Sequence, residues 1–179
     1  MEHDRVKDIC YIGLFAAVIC ICSWISVPFV VPFTLQTFGV FLTLMVLGGK
    51  RGTLSIILYV LLGALGLPVF ASFNGGLAYI LGPTGGFIVG FIFAGIIYWI
   101  FEKIFEIKKI HYIFLMIIGT LVIYIVGTLW FYIVYVSRGT SITFGKILMS
   151  CVVPFVLIDA LKIYLVTVIG KRLKPVLYK

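Results

Sequence analysis

The sequence predicts an all-α integral membrane bundle of six transmembrane helices. Two observations carry that expectation. The chain is 63% hydrophobic and only 11% charged, with a mean hydropathy of +1.27; soluble domains run at about half apolar and a quarter charged. The apolar content also falls into solid runs that approach the roughly 20 residues a helix needs to cross a bilayer. A membrane barrel would show alternating segments instead.

The crossings are read at residues 10–27, 37–49, 53–67, 84–101, 112–136 and 154–170. The second and third are short for spanning. All belong to a single domain, residues 1–179, with no linker or low-complexity tract. The first run follows a polar, mixed-charge stretch and precedes Trp24, Val27 and Pro28 rather than a small-residue cleavage site. It is therefore read as a retained helix.

Lysine and arginine orient the bundle. Arg5, Lys7, Lys50, Arg51, Lys103, Lys108, Lys109, Lys171, Arg172, Lys174 and Lys179 all fall on one side, 11 of the 14 basic residues. Only Arg138 and Lys146 fall on the other. Both termini are expected in the cytoplasm and the chain in the cell (plasma) membrane. The net charge of +8 reflects this asymmetry and attraction to anionic lipid of the bilayer, not a nucleic-acid partner.

Several chemistries have no support. No GxxxxGK[ST] loop occurs, and GGKRGT at 48–53 is a short basic turn, so ATP hydrolysis would need another subunit. There is no HExxH motif, nucleophile elbow or acidic cluster, and the chain is not expected to be an enzyme. Cys10, Cys20, Cys22 and Cys151 lie in or beside apolar segments and read as small buried hydrophobes. No metal site and no cofactor are expected.

Polar groups gather in three places. The outer loop VPFVVPFTLQT, 27–37, carries Thr34, Gln36 and Thr37. The outer loop of 66–83 leads into FNGGLAYILGPTGGF, 73–87, with Asn74, Gly75 and Tyr79. Both loops are too apolar for solvated turns. Irregular backbone at membrane depth persists where protein covers it or it lines a cavity. Glycine permits close approach of a ligand or neighbouring chain, and Thr84 is placed to cap the fourth helix. A tight Asn-Gly corner packed for stability is the bland alternative.

The third place is the sixth helix, PFVLIDALKIYLV. Asp159 and Lys162 are an acid and a base inside a crossing, at i, i+3 and so on one face. Charges at depth cost about 2.5–3.5 kcal/mol each, which makes them functional candidates. A structural ion pair is the alternative, although such pairs seldom improve stability over apolar residues. Together with Asn74, Gln36, Thr34 and Tyr79 in apolar surroundings, they describe a pocket for a small amphipathic molecule.

Helix 1 carries small residues in YIGLFAAVICIC. Gly13/Ala17 and Ala16/Cys20 are spaced i, i+4 and form a stripe that admits another helix closely. Gly86, Gly90 and Ala94 form a competing stripe on the fourth helix. Trp24 and Trp130 at the outer boundary and Trp99 at the inner one match aromatic belts.

These residues resemble the BioY family, the biotin-binding membrane (S) component of energy-coupling factor (ECF) transporters. The resemblance covers nearly the whole chain. It rests on VPFTLQT at 31–37, LGALGLPVF at 62–70, FNGGLAYILGPTGGFIVGF at 73–91 and DALK at 159–162. It implies high-affinity capture of biotin from outside and biotin uptake. The implied partners are a transmembrane coupling subunit and cytoplasmic ATPase subunits. Asn74, Asp159 and Lys162 match the family's polar binding residues, with Tyr79, Gln36, Thr34 and Gly75 nearby. Asp159 would accept from the cyclic urea; Lys162 would donate to the urea carbonyl or to the tail carboxylate. An unpaired Lys162 would favour an acid over cationic thiamine. The coupling contact is ascribed to helix 1, here Gly13, Ala16, Ala17 and Cys20, with Cys20 departing from the family's alanines. The alternatives are an S component for thiamine or riboflavin, or a structural subunit with no ligand. The residues leave open whether the chain acts alone, as a homo-oligomer or only with its ATPases.

Overall fold

The computed structural model describes residues 2–105, 109–139 and 143–177. The basic residues Lys108 and Lys179 lie outside the described residues. The chain is mostly helical: α1 Glu2–Trp24, α2 Gln36–Ala64, α3 Leu77–Ile80, α4 Gly85–Ile104, α5 Lys109–Ser137, α6 Phe144–Cys151 and α7 Val153–Leu177. A two-residue antiparallel ladder, β1 Ser26–Val27 with β2 Phe33–Thr34, closes the loop between α1 and α2. Among the described residues, five helical stretches are long and apolar enough to cross a membrane.

The main departure from expectation is α2. Residues 37–49 and 53–67 were each expected to form a helix; the structure gives one 29-residue element broken at Gly48, at φ +80° and ψ 172°. Only glycine adopts that backbone readily. The break folds the element back on itself. Gln36 and Tyr59 would be about 34 Å apart along a straight helix, yet Gln36 Nε2 donates to Tyr59 Oη at 2.5 Å. A Cβ on Gly52 would lie 3.0 Å from Leu44 Cα. The two halves therefore lie side by side.

The first half is buried all round. Val40, Phe41, Leu44, Met45 and Val46 are at most 1% exposed. A helix apolar on every face belongs at the centre, and α1, α4 and α7 pack around α2. Ile19 of α1, Ile56 and Tyr59 of α2, Phe91 of α4, Met116 of α5 and Val166 of α7 complete the core. Phe114, Leu121, Ile125 and Ile133 of α5 and Leu157 and Leu161 of α7 instead point outward and are exposed. Apolar exposure on this scale suits lipid and not water.

Other departures are smaller. α6 was not expected. Its two buried residues, Ile147 and Cys151, join Val31, Phe131 and Phe155 in a second apolar cluster. Thr84 is the residue before α4, but its side chain makes no capping bond. Cys10 is exposed, whereas Cys20, Cys22 and Cys151 are buried. The α4 stripe packs inside the bundle: a Cβ on Gly86 would strike Trp130, and one on Gly90 would lie 3.1 Å from Ile123 Cα, both on α5.

The segment between α2 and α4 is folded in. Its backbone turns at Ala71–Phe73 and again through α3. Trp24 Nε1 donates to Pro68 O at 2.8 Å and Trp130 Nε1 to Gly82 O at 3.0 Å, so α1 and α5 each pin one end of it. At the opposite end of the bundle the end of α7 returns to α1, with Tyr11 Oη donating to Leu177 O at 3.3 Å.

Candidate functional site

The start of α2, the loop and β2 strand before it, α3, and helices α4, α5, α6 and α7 line a cavity that is partly open to its surroundings. Its wall is largely apolar, with Val31, Phe87, Ile88, Phe91, Ile123 and Phe155. Thr34, Gln36, Thr37, Tyr79, Tyr124, Asp159 and Lys162 supply its polar lining apart from Thr84 and Cys151.

Asp159 and Lys162 are 3% and 5% exposed, which would be untenable for isolated charges. They neutralise one another: Lys162 Nζ donates to Asp159 Oδ1 at 2.8 Å. Two further groups complete the cluster. Thr37 Oγ1 accepts from Lys162 Nζ at 2.9 Å and donates to Asp159 Oδ1 at 3.1 Å. Tyr124 Oη donates to Asp159 Oδ2 at 2.6 Å. Three helices, α2, α5 and α7, thus converge on one carboxylate. An ammonium has three N–H donors and a carboxylate about four acceptor sites. With two and three of these used, one donor on Lys162 and one acceptor position on Asp159 are left over beside the cavity that both residues line.

The expectation of an unpaired lysine is therefore corrected. The pair is neutral as a whole, so a free ammonium does not discriminate acids from cations. Thr37 was read as a polar loop residue without a role, and Tyr124 was not singled out. Tyrosine is common in membrane helices, and no local pattern separates Tyr124 from its neighbours. Thr37 could have been found, since it follows Gln36 directly at the start of α2.

The remaining expected residues divide. Gln36 is buried, held by Tyr59, and its backbone N–H donates to Thr34 Oγ1 at 3.2 Å. Tyr79 stacks on Phe70, centroids 5.5 Å apart, and Phe70 meets Tyr59 edge-on at the same separation. This ladder of rings orients Tyr79 over the cavity. Burial raises the pKa of the Tyr79 phenol, against a smaller lowering by Thr84, so it acts as a neutral group. Asn74 and Gly75 do not line the cavity. Asn74 is exposed, and its Nδ2 donates back to Ala71 O at 2.9 Å, fixing the turn. A Cβ on Gly75 would collide with Leu67 O, so Gly75 serves chain packing. Phe73 turns outward and stacks on Trp24 at 5.2 Å.

The helix 1 stripe also divides. Gly13 and Ala17 are exposed, and nothing lies within 4 Å of a Cβ at Gly13. Ala16 and Cys20 are 1% and 7% exposed and belong to the core; they are not available to a partner. Among the described residues, no three of His, Cys, Asp and Glu gather in a group that could hold a metal.

The chain is similar to several known proteins. A model of the BioY family matches residues 1–179. The biotin transporter BioY of Thermotoga maritima is 40% identical over 163 residues, 90% of this chain and 92% of the relative. The probable biotin transporter BioY of Pyrococcus horikoshii is 39% identical over 171 residues, 95% and 98% of the two chains. The crystal structure of the S-component for biotin from an ECF-type ABC transporter superposes with a TM-score of 0.84 at 28% identity, covering 98% of this chain and 94% of that one. Fold, membrane-grade helices and sequence agree: this multi-pass membrane protein belongs to the BioY family.

Proposed function

We propose that the chain captures biotin as the S component of an ECF-type transporter and serves biotin uptake. The carrying observation is the Thr37–Tyr124–Asp159–Lys162 cluster within an apolar cavity, in a chain of the BioY family. Biotin presents a cyclic urea, an apolar sulfur ring and an acidic tail. Asp159 accepts from a urea N–H, and the spare Lys162 donor meets a biotin oxygen. Thr34, Gln36 and Tyr79 add neutral contacts, and the aromatic wall takes the ring. Because the pair is neutral, family membership carries the choice of biotin over thiamine or riboflavin.

The reading includes six crossings, supported by the fold-back at Gly48, and cytoplasmic ends in the cell membrane, supported by the basic asymmetry. A coupling subunit and ATPases complete the transporter, and Gly13 and Ala17 are the contact on α1. The test is titration of the purified chain with biotin, biotinamide, thiamine and riboflavin, followed by calorimetry. Selective biotin binding is expected. Equal affinity for biotinamide assigns Lys162 to the urea carbonyl, and binding of another vitamin alone overturns the ligand. If Asp159→Asn binds biotin as tightly as the unaltered chain, the urea assignment is wrong.

A further inference from the structure

A second, wide-mouthed cavity opens at the opposite end of the bundle. The beginning of α1, the Gly48 turn and the ends of α4 and α7 form it. Its charged lining is Arg5, Asp8, Lys50, Arg51, Glu102 and Lys174. Among the described side chains that line it, four cations stand against two carboxylates. The carboxylates are occupied: Asp8 Oδ1 pairs with Arg51 Nη2 at 2.7 Å, and Glu102 accepts from the Gly49 backbone N–H. Among the described residues, Lys174 Nζ donates to the neutral Tyr112 hydroxyl, at 2.9 Å, and pairs with no carboxylate. Arg5 and Lys50 are exposed and have no acidic partner among the described residues.

The rest of the wall is aliphatic. Ile9 and Leu54 line the cavity and are 69% and 40% exposed. A cationic rim beside an outward-facing apolar wall, at the end of the bundle that the proposed topology puts at a membrane surface, matches an anionic amphiphile. It does not match a bare anion, which has no use for the wall. Basic pockets between membrane helices at the basic end of a bundle are suited to phospholipid headgroups.

We propose that this cavity binds the phosphate headgroup of an anionic phospholipid, with Arg5 and Lys50 contacting the phosphate and an acyl chain lying along Ile9 and Leu54. The site is separate from the biotin cavity and does not depend on what that cavity binds.

The test is lipid binding by the purified, delipidated full chain, followed by native mass spectrometry and thermal shift. The probes are phosphatidylglycerol, phosphatidylcholine with the same acyl chains, and inorganic phosphate. Phosphatidylglycerol is expected to bind in preference to phosphatidylcholine. Arg5→Gln with Lys50→Gln is expected to weaken it by roughly 30-fold, from the contribution typical of two basic residues at a membrane surface. Arg5→Lys with Lys50→Arg should keep it. Biotin binding by each variant reports that the fold is intact. Equal retention of the two lipids, or an unchanged affinity in the glutamine pair, overturns the site. If inorganic phosphate stabilises the chain as well as phosphatidylglycerol at equal concentration, the acyl chain adds nothing and the lipid assignment falls.

Discussion

Replacing Lys162 by methionine keeps an unbranched side chain one atom shorter and removes its charge. The structure sets the cost. Lys162 loses bonds to Asp159 and Thr37, at 2.8 and 2.9 Å, and hydrogen bonds to charged groups contribute about 1.5–3 kcal/mol each. Asp159, 3% exposed, is left without its counter-charge, and breaking a buried pair typically costs about 3–5 kcal/mol. A loss of about 3–5 kcal/mol is therefore expected for Lys162→Met alone. Adding Asp159→Asn removes the stranded charge. The new amide still accepts from Tyr124 and donates to Thr37, so the double variant should return to within about 1–2 kcal/mol of the unaltered chain. Biotin binding should remain lost in both. The assay is a double-mutant cycle read by unfolding in detergent, with biotin titration beside it. If the double variant is as unstable as Lys162→Met, the two residues are not one electrostatic unit. If it binds biotin normally, the pair is structural and the ligand is read elsewhere.

Tyr124→Phe removes one donor from Asp159 Oδ2 and should cost about 1 kcal/mol of stability, with a clear loss of biotin affinity; Asn74→Ala should change biotin affinity less than Tyr124→Phe, since Asn74 only fixes its own turn. Calorimetric titration of the two variants side by side checks this. Gly49→Ala should destabilise by about 1–3 kcal/mol, because its Cβ would lie 2.4 Å from the Trp99 backbone, whereas Gly170→Ala should be milder, since it meets the mobile end of Met45; thermal unfolding orders the two. Ala17→Trp should abolish co-purification with the coupling subunit and leave biotin binding intact, while Ala16→Trp, at a position 1% exposed, should prevent folding. Co-purification that survives Ala17→Trp removes the proposed contact.

Some of this was legible in the residues. Asp159 and Lys162 stood out because their charges interrupt an apolar helix, and their i, i+3 spacing placed them together. The loops were recognisable as covered because they combine glycine and proline with apolar side chains. What the residues could not reveal was direction. Asn74 lies in the right segment, but the turn at Ala71–Phe73 sends it to the surface. Gly13/Ala17 and Ala16/Cys20 are neighbouring rows on one helix, and the edge of the core runs between them. Tyr124 is distant in sequence from Asp159, and only the packing of α5 beside α7 brings them together.

The break at Gly48 also bears on how the chain counts its passages through the bilayer. Under the proposed topology, an unbroken α2 would give five passages, an odd number, and would leave the tail on the side opposite the amino end. Folding back makes the number even and returns the tail to the start, where Tyr11 meets the carbonyl of Leu177. On that proposed topology, one residue with a backbone angle that other amino acids resist decides whether the passages number five or six.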